Sequence, residues 1–104
     1  MHNEKFKIKL NENELTVVFE TLETACDIEA KTMLSKLLVC EIISIHKKLL
    51  PKFTYSKKIN TISFTASEAV AFWIVFSTYD FNMAGSFIMA TMRKVLDAIH
   101  KQYV

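Results

Sequence analysis

At 104 residues, with 51% hydrophobic and 23% charged residues and a formal net charge of +2, the chain suits one folded domain with a real core. It is too short for two domains with a cleft between them. A single glycine (Gly85) and a single proline (Pro51) exclude a Gly-rich phosphate loop, and with it P-loop or Rossmann-type nucleotide binding.

The first stretch is charged and runs into an alternating segment where a signal peptide would carry an apolar block, so no secretory signal is expected. Residues 5–10 alternate strictly, placing Phe6, Ile8 and Leu10 on one face and three lysines on the other, which predicts a half-buried strand. Asn11 with Glu14 three positions on has the spacing of a capping box. A first helix follows, with Leu15, Val18, Phe19 and Leu22 on its apolar face and Glu12, Glu20 and Glu23 on its solvated one, ending near Ala25 or Cys26. Asp27 is the expected cap of a second, longer helix. Its broad stripe comprises Met33, Leu34, Leu37, Leu38, Ile42, Ile45, Leu49 and Leu50, and Pro51 is expected to stop it. Cys26 and Cys40 lie in these helical periods without CxxC spacing and read as reduced core residues of a cytosolic protein.

After a connector over residues 51–58 the pattern begins again. A strand is expected over 58–64, a third helix from a Thr65 cap with Glu68 completing the box, and a fourth helix from near Asn82 or Met83 that carries Phe87, Ile88, Met92, Val95, Leu96, Ile99 and Tyr103. Methionines 83, 89 and 92 read as gap-fillers of a core. The longest apolar run, residues 69–76, is far short of the roughly 20 residues that span a bilayer. No membrane segment is expected and the cytoplasm is the default location.

The expected fold is therefore α+β and predominantly helical, in the order β-α-α-β-α-α, with a small antiparallel sheet packed against four helices in one domain, 1–104. Its two units, 5–50 and 59–104, read as an internal repeat offset by 54 positions, from Ile8 to Ile62. Identities at Glu14/Glu68, Ile45/Ile99, His46/His100 and Lys47/Lys101 fall into register with caps, strand faces and apolar stripes.

The two units differ where function is most readable. Positions matching Thr16, Glu12, Glu20 and Glu23 carry Val70, Ala66, Ile74 and Ser77, so the third helix is apolar nearly all round. Such a helix is buried on several sides. Either it is central to the core, or the face with Val70, Ile74 and Ser77 docks another chain, a homodimer being the simplest form. Charges balance within each unit, and the positive excess lies in the connector. Lys47, Lys48, Lys52, Lys57 and Lys58, interleaved with Phe53 and Tyr55, form a candidate polyanion-binding stretch, weakened by having no arginine.

Little points to catalysis. His46 and His100 have no carboxylate or cysteine one helical turn away and read as helix C-terminal residues that complement the dipole, so no metal or other cofactor is expected. Ser44 and His46 are two apart on a helix and do not face each other. The expectation is a small non-enzymatic protein-interaction or assembly module that binds a protein partner or itself through an apolar helix surface, with no small-molecule substrate. The alternative is a nucleic-acid- or polyanion-binding protein using the lysine-rich connector.

Overall fold

The computed structural model describes residues 4–78 and 85–103. Its elements follow the expected order: β1 (Phe6–Asn11), α1 (Glu12–Ala25), α2 (Met33–Thr54), β2 (Ile59–Phe64), α3 (Ala66–Ser77) and α4 (Ser86–Tyr103). The expected start of the fourth helix at Asn82 or Met83 lies outside the described residues.

Strand alternation sets the sheet. β1 and β2 pair antiparallel with Phe6 opposite Phe64, Ile8 opposite Ile62 and Leu10 opposite Asn60, and these residues face the helices. Lys7 and Lys9, opposite Ser63 and Thr61, face outward. Asn60 is the one buried polar member of the inner row. Its amide closes the turn into β2 by accepting from the Lys57 N–H at 2.9 Å and donating to the Lys57 carbonyl at 2.8 Å. A strand edge left bare invites foreign pairing. Beside β1, Lys94 of α4 donates to the Lys9 carbonyl, while Gln102 and the Tyr103 hydroxyl donate to the carbonyls of Lys5 and Glu4 just before the strand.

Both strands run straight into helices through full capping boxes. The Asn11 side chain accepts from the Glu14 N–H while Glu14 accepts from the Asn11 N–H, and Thr65 and Glu68 repeat the arrangement. From the sheet a line of rings leads into the core. Phe6, Phe64, Phe72 and Phe76 are in successive contact at centroid separations of 5.6, 5.6 and 4.7 Å. Leu15, Val18 and Leu22 of α1, Ile42, Ile45 and Leu49 of α2, and Met92, Val95 and Ile99 of α4 close around it. No helix among the described residues is long and apolar enough to cross a membrane.

The second helix departs from expectation at both ends. Its N-cap is Thr32, not Asp27; Thr32 and Ser35 exchange backbone-to-hydroxyl bonds at 2.9 and 3.0 Å. Asp27 and Ile28 instead extend the end of α1, their N–H groups bonding the carbonyls of Thr24 and Ala25. Nor does Pro51 stop the helix. Proline removes one backbone donor, yet α2 continues to Thr54 because Phe53 is held by stacking on Phe19 at 4.3 Å and Tyr55 N–H bonds the Pro51 carbonyl at 2.9 Å. The first half of the expected connector is thus helical.

The apolar stripe of α2 is also only half used. Ile42, Ile45 and Leu49 are buried, but Met33 is 90% exposed, Leu34 64% and Leu37 58%, and Leu50 is exposed too. At about 3.6 residues per turn Ile42, Ile45 and Leu49 share one side of α2, whereas Met33, Leu37 and Leu50 point roughly 80° or more away from all three, which leaves an apolar overhang along the first turns of the helix. Cys40 is likewise exposed and Cys26 only half-buried, so neither thiol is a full core residue. In α4, Phe87 is exposed where a stripe position was expected.

Candidate functional site

The third helix is buried along one side and open along another. Ala69, Phe72 and Phe76 are fully buried in the core and Ala71 is nearly so, whereas Val70 and Ile74 remain 40% and 41% exposed. Its remaining ring, Trp73, is half-buried between α3 and α4 and divides their junction into two grooves.

On one side lies a groove of about 260 Å³ lined by Val70, Trp73, Ile74, Ile99, His100 and Tyr103. Its walls are almost entirely apolar. Tyr103 is pinned by its hydroxyl bond to the Glu4 carbonyl at 2.8 Å, and Ile99 is buried. The other groove, about 230 Å³, places Ser77 with Met89, Arg93 and Asp97. The expected trio is therefore split. Val70 and Ile74 share a surface, and Ser77 belongs to a different, more polar one.

The N-terminal end of α3 is held by electrostatics. Glu68 is buried, and its carboxylate accepts from Lys48 Nζ at 2.6 Å, from the Ser44 hydroxyl at 2.6 Å and from the Thr65 N–H at 2.8 Å. Burial alone would push its pKa up, but the bonds from Lys48, Ser44 and Thr65 outweigh it and hold the carboxyl below the ordinary value of 4.5. Glu14, the matching cap residue of α1, is more open and pairs with Lys94 at 3.0 Å. The Ser67 hydroxyl donates at 3.0 Å to Glu41 of α2, which lies one turn beyond Leu37.

Of the five lysines of the candidate polyanion-binding stretch, Lys48 is thus committed to Glu68. Lys47, Lys52, Lys57 and Lys58 are exposed and make no ion pair among the described residues, and Lys58 borders a shallow polar hollow with Asn11, Glu12 and Asn13. The two histidines occupy matching but separate places. His46 stacks on Phe19 at 4.6 Å with its Nε2 buried and unpartnered, and His100 lies 5.8 Å from Trp73. His46 is two turns short of the end of α2, so the expected dipole role does not apply to it.

Sequence reasoning missed the α2 overhang, because periodicity reports which side of a helix is apolar and not how far a neighbour extends along it. No protein-family model matches the chain, and no curated protein or solved structure matches it.

Proposed function

We propose that this chain is a small non-enzymatic interaction or assembly module that docks a protein partner, in its simplest form a second copy of itself, through apolar helix surface. The carrying observation is the uncovered apolar area on two adjoining helices, Met33, Leu34 and Leu37 on α2 with Val70 and Ile74 on α3. Large apolar side chains clustered on a chain of this size are characteristic of interaction sites, whereas isolated ones need no explanation. The two free cysteines suit a reducing, cytoplasmic setting.

An internal duplication belongs to the same reading. It is supported by positions 54 apart that play one role: Ile8 and Ile62 face each other in the sheet, Glu14 and Glu68 complete capping boxes, and Phe19 with His46 parallels Trp73 with His100.

Sedimentation velocity over a wide concentration range tests the proposal. A reversible increase in mass is expected for the native chain, and the double change Leu34→Glu with Leu37→Glu should return it to monomer with its helix content intact. A native chain that stays monomeric and retains no partner overturns it. A second reading, polyanion binding, is favoured by the four unpaired lysines of the connector region. It predicts salt-sensitive retention of RNA or DNA that disappears when Lys47, Lys52, Lys57 and Lys58 are neutralised.

A further inference from the structure

Two places in this molecule pair an aromatic ring with a histidine at matching positions, and they differ in how far the ring is covered. On α1, the Phe19 ring is stacked with His46 at 4.6 Å and 21°, and with Phe53 at 4.3 Å and 8°. Fifty-four positions on, Trp73 lies against His100 at 5.8 Å and 31°. No third ring stacks on Trp73 among the contacts of the described residues, and the 260 Å³ groove is one of the two grooves it lines. Every wall of that groove stands at the same offset from the surroundings of Phe19: Val70 from Thr16, Ile74 from Glu20, Ile99 from Ile45 and Tyr103 from Leu49.

We infer that the groove over Trp73 is a seat for one aromatic side chain presented by a partner protein, taken up as Phe53 is taken up on Phe19. This rests on the reading of the apolar helix surface as a docking face. Three observations carry it. The first is the internal precedent, an aromatic ring lying flat on the equivalent ring. The second is the direction of the differences. Thr16 and Glu20 stand 54 positions before Val70 and Ile74, so the helix with the uncovered ring is the more apolar at these places, the reverse of what exposure to water alone favours. The third is size and preorganisation. At about 260 Å³ the groove lies below the roughly 300–1,000 Å³ usual for small-molecule sites, which favours a single side chain over a cofactor. With Ile99 buried and Tyr103 tied to the Glu4 carbonyl, its far wall is already in place. The indole and imidazole present faces and edges for offset or edge-to-face contact, which a leucine cannot reproduce.

The test uses the full chain and N-acetyl-phenylalanine amide as probe. Trp73 is the only tryptophan, so its fluorescence reports the site directly, and backbone amide shifts of Val70, Ile74 and His100 locate it. Saturable changes in both are expected at millimolar probe, with N-acetyl-leucine amide at least several-fold weaker and Ile74→Glu lowering affinity about tenfold or more. Phe53→Ala should add a second set of saturable shifts around Phe19 and His46. If that variant does not fold, the native chain and Ile74→Glu decide the matter. Absence of saturation, equal response to the leucine amide, or shifts confined to Met33–Leu37 overturns the inference. Loss of self-association or partner capture in the Leu34→Glu, Leu37→Glu double variant, in a chain whose groove ignores the aromatic probe, would leave the interaction module standing and remove only this seat.

Discussion

The β1–α1 and β2–α3 junctions share a register, a capping box and an inward row of large residues, yet they treat water in opposite ways. In α1 the positions outside the core carry Glu12, Glu20 and Glu23, and the capping glutamate reaches a lysine near the surface. In α3 the outer positions carry Val70 and Ile74, and the capping glutamate is buried under α2 with three donors on it. The two junctions therefore share their local construction and differ in an outer face that is solvated on α1 and apolar on α3.

The comparison breaks hardest in the core. Phe64 and Leu10 hold matching places, but only Phe64 bridges the sheet to α3 through Phe6 and Phe72. Phe64→Ala should cost about 3–5 kcal/mol and Leu10→Ala about 2–4 kcal/mol, measured by urea denaturation, because both delete fully buried volume. Equal losses would mean that the ring line is not a special link.

Next come the caps. Glu68→Ala removes a box member and leaves Ser44 and the Lys48 ammonium without their acceptor, so a loss of about 2–3 kcal/mol is expected, against about 1 kcal/mol for the more exposed Glu14→Ala. Acid should expose the same asymmetry. The Glu68 carboxyl titrates lower in the folded chain than its ordinary 4.5, so its contribution is complete above that value and fades as pH falls from 4.5 through the lowered folded-state pKa. Glu68→Gln should therefore flatten the acid limb of a stability–pH curve; an unchanged limb would assign acid sensitivity elsewhere, Glu14 being the first candidate since its pKa is lowered too.

Where sequence and structure agree, the signal was local. Asn11 and Thr65 are legible as caps because a glutamate stands three residues on, and the strand faces follow from alternation. Thr32 escapes notice because its partner at that spacing is Ser35, and Pro51 misleads because the Phe53–Phe19 stack that carries α2 past it joins residues far apart in the chain. The exposed first turns of α2 and the separation of Ser77 from Ile74 depend on which side of α2 the core meets and on where Trp73 comes to lie, which are tertiary facts.

The smallest effect on folding is expected where the same stripe leaves the core. Ile42 and Leu37 are both expected stripe residues of α2, but five residues apart they point roughly 140° away from each other, the first buried and the second 58% exposed. Ile42→Ala should cost about 2–4 kcal/mol, whereas Leu37→Ala should change the stability of the dilute monomer by no more than about 0.5 kcal/mol. Raising the concentration turns that near-silence into a measurement. If the overhang is covered by a second copy, the native chain gains apparent stability by mass action as concentration rises, and Leu37→Ala gains less. The gap between the two melting temperatures should then widen with concentration. A gap that stays constant would mean that no second copy covers Leu37 and would count against self-association through the first turns of α2.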